Sequence, residues 1–343
     1  MNIREKESLI SHNTFKVSAV ADWWIEYSSL EDLKRLSQDE YFQTQQFLPI
    51  GQGSNLLFLH DYQGVILSSQ IKEIDIINES ESKVSLRVGS GVIWDDLIVW
   101  ALEHGYNGIE NLSWIPGTVG AAAVQNIGAY GAEIEEFIDY VDTFDLKEGK
   151  QHTFTRAECN YGYRYSLFKE EEYKHHVITH VHFTLPKNNH VNLSYQALEA
   201  YFSHQAPTPL AVREAVIEIR KSKLPNPEKL PNAGSYFMNP IVPIEVYEKL
   251  SKEYSDMPYY PAEKGIKLSA AWLLDQAGLK GYKKGNIGTY ERQPLIIVNL
   301  GKAEGAEIAQ FAEELSNKVF DKFAIRLTPE VRYIGKFKQD MTE

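Results

Sequence analysis

One cysteine, Cys159, is all that the 343 residues contain. A single thiol can form neither an intramolecular disulfide nor a thiolate metal cluster. No run approaches the roughly 18–20 apolar residues a membrane helix needs. The start, MNIREKESLI, mixes charges with short apolar pieces and has no signal-peptide core. Positive charge is in deficit: 35 Lys and Arg stand against 47 Asp and Glu, a formal net charge of −12. Such a chain has no general field to draw it to nucleic acid or to an anionic membrane. A cytoplasmic protein with neither partner is expected. Complete nucleotide fingerprints are also missing. GQGSNLLF (51–58) fails as G-x-G-x-x-G because Leu56 takes the third glycine position. There is no G-x-x-x-x-G-K-[ST] and no G-x-S-x-G elbow. No internal repeat or low-complexity tract occurs.

What is present reads as an ordinary globular chain, 43% hydrophobic and 24% charged, long enough for roughly two domains. Ser29 and Asp32 form a helix-start pattern before Leu30, Leu33 and Leu36. FLPIG (47–51), GVILSS (64–69) and KVSLRVGSG, with Val84, Leu86 and Val88 alternating, read as strands. VIWDDLIVWALEHG reads as a helix ending at Gly105. HHVITHVHFTL (175–185) reads as a strand with His180 and His182 on one face. A polar strand face is the better reading than a metal pair, because no third ligand is patterned with them; no metal is expected. Thr208 and Pro209 start a helix, and KLPNPEKLPN (223–232) breaks the chain. SAAWLLDQAG reads as a helix, PLIIVNLG as a strand. A long amphipathic helix carries Ile308, Phe311, Ala312, Leu315, Val319 and Phe323. EVRYIG is the last strand. Strands and helices mix without strict alternation, so the class is α+β.

Two glycine-rich stretches carry chemistry. In GQGSNLLF, Gly51 and Gly53 permit tight backbone and Ser54 and Asn55 add donors, so a structural turn and an anion nest are equally good readings. IPGTVGAAAVQNIGAYGAEI (115–134) looks too glycine-rich for a helix and suits backbone lying against a flat or phosphorylated ligand. Together they point to a dinucleotide held without a Rossmann fold. PNAGSYFMNP (231–240) places a hydroxyl, Ser235, after small residues that admit another group and before bulky ones that fix the chain.

In order, GQGSNLLF, NLSWIPGTVGAAAVQNIGAYGAE, CNYGYRYSLFK, NAGSYFMNP, KLSAAWLLDQAGLKG and TPEVRYIG resemble the motifs of the UDP-N-acetylenolpyruvoylglucosamine reductases. The likeness spans roughly residues 10–336, and LSYQALEAYF (193–202) resembles the insertion of the longer, type I form. It implies an FAD-binding fold of the vanillyl-alcohol-oxidase type over 1–222, in two subdomains of about 1–70 and 71–222. A substrate-binding domain at 223–329 and a C-terminal strand at 330–343 returning to the FAD region would follow. It implies FAD as cofactor, NADPH as co-substrate taking turns with the sugar nucleotide in one site, and reduction of UDP-N-acetylglucosamine-enolpyruvate to UDP-N-acetylmuramate. A monomer is expected.

Such a reaction adds hydride to the outer carbon of an enolpyruvyl ether and leaves negative charge on the inner carbon and its carboxylate. The resemblance supplies a carboxylate clamp in Arg164, an enolate partner in Glu330 and a proton donor to the inner carbon in Ser235. For FAD it implies Gly51, Gln52, Gly53, Ser54 and Asn55, then Pro116, Gly117, Thr118, Gly120, Gln125, Asn126, Gly128, Tyr130 and Gly131, and more weakly Arg332. For substrate it implies Tyr195, closing over the nucleotide, and Lys223, Asn239, Tyr260 and Gln293. Ala123, Tyr165 and Met238 depart from the family pattern, where proline, aspartate and lysine are common; Met238 lowers the local positive charge. Cys159 reads as a buried small residue. Two other readings stay open: another FAD oxidoreductase of the same fold, and a non-catalytic nucleotide-sugar binding protein.

Overall fold

Ser29 opens the helix Leu30–Gln38 by accepting from the Asp32 N–H. Asp32 reaches one residue further back than a capping box does, to the Ser28 N–H at 2.9 Å. Leu33 and Leu36 are buried on the inner face. The helix Trp94–Glu103 is followed by Gly105 at φ +75°, the left-handed position that glycine takes without strain. Thr208 caps Pro209–Lys223 by accepting from the Ala211 N–H at 3.2 Å.

The computed structural model describes residues 1–203 and 206–335. Met1–Glu7, Ala21–Gln52 and Gln63–Ser222 form one unit. Its first sheet runs Asn2–Ser8, Val20–Tyr27, Tyr62–Ser69, Phe47–Ile50, the last pair parallel. Its second is antiparallel and runs Lys150–Thr155, Ile138–Asp145, His176–Pro186, Lys83–Gly89, Ile74–Glu79. The second unit takes Ser8–Val20, Gly53–Tyr62 and the residues from Lys223 on. It has a four-stranded sheet, Asn232–Ser235, Ile296–Asn299, Ile287–Thr289, Lys283–Lys284, and a three-stranded one, Ile241–Val242, Gly265–Leu268, Tyr259–Ala262. The helix Gly305–Phe323 buries Ile308, Phe311, Ala312, Leu315, Val319 and Phe323 in its core, and full burial of each large apolar side chain contributes roughly 1.5–3 kcal/mol.

The expected unbroken region 1–222 is therefore interrupted. Phe15, Val17 and Leu57 share a core with the C-terminal residues Tyr236, Leu273 and Leu315, and burial goes where those apolar partners are. Arg332–Ile334 pairs in parallel with Leu56–Phe58, N-terminal sequence that lies in the second unit; residues 336–343 lie outside the described residues. A division near residue 70 is likewise not where the core divides, because Phe144, Leu146 and Val177 are buried in one cluster with Ile25, Leu33 and Leu36.

One local expectation also gives way: Val119–Gln125 is a helix, in which three of the seven residues are alanine, the strongest helix former, and the one glycine falls in the first turn. His180 and His182 share a polar strand face that is buried, 3% and 7% exposed, their strand being central in the five-stranded sheet. Each has its own carboxylate, Glu73 at 2.9 Å for His180 and Asp142 at 2.8 Å for His182. Cys159 is buried, and burial pushes its thiol up to about 12. Among the described residues no helix is long and apolar enough to cross a membrane.

Candidate active site

Glycine at 51 lets two loops of the first unit touch. A Cβ there would stand 2.9 Å from Thr118 Oγ1 and 3.0 Å from Ala121 Cβ. Gln52 locks the contact, its Oε1 accepting from the Gly117 N–H at 2.7 Å. The far edge of the second loop is sewn to residues 90–94: Trp94 N–H donates to Gly117 O, Val119 N–H to Val92 O and Gly120 N–H to Ser90 O, at 2.9–3.0 Å. A Cβ on Gly120 would meet Ser90 Cβ at 2.8 Å. Thr118 caps the helix that follows, and Gln125 ends it. The surface offered is backbone and small side chains, with Pro116 and Gln52 exposed.

The rest of the first glycine loop belongs to the second unit. Gly53 has φ +63°, and a Cβ on it would lie 2.0 Å from His12 O. Asn55 donates its amide to Glu330 O at 3.2 Å and accepts from the Arg332 N–H at its carbonyl at 3.0 Å. Ser54, half-buried, lies between them in sequence. Burial pushes the Tyr62 phenol up to about 12, against the opposing charge of Arg332.

Arg164 sits on a two-residue turn closed by paired Gly162 and Tyr165. Their N–H groups exchange with each other's carbonyls at 3.1 and 3.0 Å. Arg164 itself has φ +56°, a conformation that costs a non-glycine residue roughly 1–3 kcal/mol and persists only where the surroundings impose it. The surroundings are explicit. Its Nη2 donates to Gly128 O at 2.6 Å, its carbonyl accepts from Lys169 Nζ at 2.7 Å, and its guanidinium lies 5.2 Å from the Tyr163 ring centre. Asn126, fully buried, donates to Gly162 O at 2.9 Å and to Glu133 at 3.2 Å, and accepts from the Glu135 N–H. Its side chain thus ties the Arg164 turn to the helix end. Tyr165 donates its hydroxyl to Glu170. Ala123 is buried inside the helix.

Tyr130 (φ +50°) and Tyr195 pack edge to face at 5.1 Å. Gly131 accepts at its carbonyl from Asn192 at 2.9 Å, and a Cβ there would press on Ser194 Oγ at 2.6 Å. A residue that no motif flagged, Arg220, hydrogen-bonds Tyr130 while its Nε is buried without a partner. Burial lowers its pKa, opposed by Tyr130 and Asp95. Burial works against the charge on Asp95 too. There the two-point contact of Arg213, at 2.7 and 2.8 Å, and the Trp114 N–H at 2.6 Å prevail and hold the carboxyl below its ordinary range. Helical spacing carried the signal, since Arg213 and Arg220, seven apart, share one helix face.

In the second unit Ser235 ends the strand Asn232–Ser235, opposite Ile296 and beyond a register shift. Gly234 takes φ +72° with nothing within 4 Å of a Cβ position. Tyr236 and Phe237 are buried at 0% and 1%, and the Tyr236 hydroxyl meets the Tyr333 hydroxyl at 2.9 Å. Glu330 N–H donates to Tyr236 O at 2.7 Å, Met238 N–H donates to Thr328 O at 2.9 Å, and Phe237 bridges Pro329. Ser235, exposed, and Glu330 are thereby fixed on neighbouring stretches. Asn239 Oδ1 accepts from the Ala270 N–H at 2.9 Å, which leaves its amide nitrogen as the donor. Lys223 is exposed at a helix end, Tyr260 is 47% exposed, and Gln293 is half-buried in a turn where Ile296 N–H donates to its carbonyl.

Residues 226–334 match the model described as UDP-N-acetylenolpyruvoylglucosamine reductase, C-terminal domain, and residues 22–155 match that of an FAD binding domain. A protein of Porphyromonas gingivalis named UDP-N-acetylenolpyruvoylglucosamine reductase is 44% identical over 337 residues, 97% of this chain and 100% of the relative. The chain belongs to the UDP-N-acetylenolpyruvoylglucosamine reductase family. It is an FAD-dependent oxidoreductase of α+β fold. A reductase of the same name from Bacteroides fragilis is 42% identical over 334 residues, covering 97% of this chain and all of the relative. The crystal structure of the Thermus caldophilus reductase has TM-score 0.66 at 22% identity, covering 97% of this chain and 98% of that one, and shows the shared fold.

In the first unit the Pro116–Thr118 turn and the helix Val119–Gln125 offer main-chain amides and small side chains of the kind a flat, phosphorylated group such as FAD would meet; beside Gly51, Gly120 and Gly128 the space is filled by packed protein, where a Cβ would collide at 2.8–2.9 Å.

Proposed function

We propose that the protein reduces UDP-N-acetylglucosamine-enolpyruvate to UDP-N-acetylmuramate for peptidoglycan synthesis, using NADPH, as a cytoplasmic monomer. The observation that carries this reading is the placement of Ser235. Ser235 is exposed at a strand end, the two aromatics after it are buried, and the carbonyl of the next residue, Tyr236, accepts from the Glu330 N–H, in a chain that aligns over 97% of its length with a named reductase. Neither an alcohol-oxidising flavoenzyme nor a plain nucleotide-sugar binder needs that arrangement.

Bound FAD, once reduced by NADPH, would supply a hydride for the outer carbon of the enolpyruvyl group. The charge then left on the inner carbon spreads into the carboxylate, and the protein's task is to hold that charge and end it with a proton. Arg164 clamps the carboxylate; its planar guanidinium suits two-point contact, and the imposed turn keeps it oriented. Glu330 supports the enolate. Ser235 Oγ gives its proton to the inner carbon, closing the new C–H bond, and recovers one from solvent. Preorganised groups of this kind are worth roughly 3–4 kcal/mol each. Gly51–Asn55, Pro116, Gly117, Thr118, Gly120, Gln125, Gly128, Tyr130, Gly131 and Arg332 hold FAD. Asn126, whose amide is committed within the fold, acts on that side by positioning. Tyr195 closes over the nucleotide, and Lys223, Asn239, Tyr260 and Gln293 hold the uridine diphosphate. NADPH and the sugar nucleotide alternate in one site, consistent with a sequence that has no second nucleotide motif.

The purified protein is expected to be yellow and to oxidise NADPH only when the enolpyruvyl nucleotide is present. A colourless protein that FAD cannot reconstitute, or NADPH oxidation indifferent to that nucleotide, defeats the proposal. NADH in place of NADPH tests the donor preference separately.

A further inference from the structure

The strap 187–194, which leads to Tyr195, is tied to the glycine-rich loop by two asparagines. Asn111, in the single helical turn Glu110–Leu112, is 0% exposed. Its amide nitrogen donates twice, to Tyr130 O at 2.7 Å and to Asn192 O at 2.9 Å. Both partners are carbonyl oxygens, so the nitrogen of that amide must be the atom that faces them. Asn192 ties the same segments from the other side. Its amide donates to Gly131 O at 2.9 Å, and its Oδ1 accepts from the Ser194 N–H at 3.0 Å and the Ser194 hydroxyl at 2.6 Å. Val191 and Leu193, the neighbours of Asn192, pack against the small core of Leu198, Val212 and Val216. Alternate residues of the strap therefore meet the core and the loop.

Three features say that this joint sets a position rather than filling space. Asn111 Oδ1 is buried without a hydrogen-bond partner, a cost that an apolar side chain of the same shape does not carry. Packing alone therefore does not account for an asparagine there; its two donors do. Tyr130, which receives one of them, has φ +50°, a left-handed backbone that persists only where its surroundings impose it. At Gly131, φ +85°, a Cβ would stand 2.6 Å from Ser194 Oγ, so loop and strap are in close contact. The strap then runs directly into Tyr195, which starts the helix Gln196–Phe202 and whose carbonyl accepts from the Leu198 N–H at 2.8 Å. The rings of Tyr130 and Tyr195 meet edge to face, 5.1 Å between centres.

We propose that Asn111 and Asn192 are positioning residues for Tyr195. They latch the strap to the loop at Tyr130 and Gly131 and so hold the Tyr195 ring preset for the sugar nucleotide. The inference rests on the reading that Tyr195 closes over that nucleotide. Without the latch the ring and its helix start must be ordered when the nucleotide arrives, and the cost of ordering is subtracted from binding. That loss falls on ground state and transition state alike, so it enters KM and leaves kcat.

The test uses FAD-loaded, full-length protein. Asn192→Ala should raise KM for UDP-N-acetylglucosamine-enolpyruvate about 3–10-fold and change kcat less than about twofold. Asn111→Leu, which keeps the branched shape and drops both donors, should raise KM at least as much. If that variant fails to fold, Asn192→Ala, at a half-buried site, carries the test alone. In a Tyr195→Ala background Asn192→Ala should lose its effect on KM, because the two act through one contact. An unchanged KM, or the same rise with and without Tyr195, overturns the latch and leaves both asparagines as structural residues. Hydrogen exchange reads the latch without turnover: the amides of 193–199 should exchange at least about tenfold faster in Asn192→Ala, with 84–88 unchanged. If the wild type shows no nucleotide-dependent NADPH oxidation, the functional reading fails by itself. Exchange at 193–199 then decides the latch, and equal rates in wild type and Asn192→Ala overturn it.

Discussion

Arg164 and Ser235 are held in opposite ways. The turn around Arg164 puts the unfavourable backbone on the functional residue itself, at φ +56°, and surrounds it with four named contacts to enforce it. The strand end around Ser235 shifts the unusual backbone one residue back, onto Gly234 at φ +72°. It then anchors the chain by burying Tyr236 and Phe237. A guanidinium on a long side chain needs its base fixed before its tip has a defined place. A short hydroxyl is placed as soon as its backbone is, and glycine supplies the required conformation without strain.

Removing the hydroxyl is the severest way to break the comparison. Ser235→Ala should keep FAD and let NADPH bleach it at a near-normal rate, while turnover with the enolpyruvyl nucleotide falls about 10²–10⁴-fold, the range for a lost general acid. Ser235→Cys should recover part of it. Equal slowing with and without that nucleotide, in a flavin-loaded protein, would make Ser235 a structural turn residue.

Arg164→Lys is next. It keeps a charge but loses the planar fork and the contact to Gly128 O, so kcat should drop roughly 10²–10³-fold with flavin content unchanged. A drop under tenfold would mean that point charge, not the imposed orientation, is what this turn supplies.

Two glycines sharpen the point about where strain is placed. Gly234→Ala adds a Cβ into open space, so only the left-handed backbone is penalised, about 1–2 kcal/mol. Gly53→Ala has the same backbone sign but puts a Cβ 2.0 Å from His12 O, and should cost several times more or prevent folding. Thermal melting of both variants decides; equal losses would show that the space around Gly234 is immaterial.

The smallest effect is acid sensitivity confined to one side. Burial lowers the His180 pKa below its ordinary value, with Glu73 opposing. The unfolded chain therefore takes up that proton more readily. The stability contributed is present above about pH 6.5 and is lost as pH falls below it. Residues 223–335 contain no histidine. Hydrogen exchange between pH 7.5 and 5.5 should loosen 176–186 before 232–236, and His180→Asn should remove the difference.

Much of this was legible in the sequence because it is local. A short apolar run marked the strand at 64–69 and alternation the one at 83–89, and Ser29, Thr208 and Gly105 marked helix ends. The order of motifs gave the family and nominated Arg164, Ser235 and Glu330. The helix Val119–Gln125 was obscured because glycine count outweighed its three alanines. Asn126, nominated for FAD by its place in a loop, proved to spend its amide on Gly162 and Glu133.

The sequence by itself determined most of the element types, the lack of intramolecular disulfides, the acidic charge and the chemical groups available. Only the tertiary structure decided which of them meet. That Phe15 and Leu57 join a C-terminal core, that Glu330 hydrogen-bonds to the residue after Ser235, and that Asp145 faces His176 are pairings between distant segments. Period and spacing report only on neighbours along the chain. Which distant apolar surface or strand edge a segment finds is settled by burial and register together, once the whole chain competes for them.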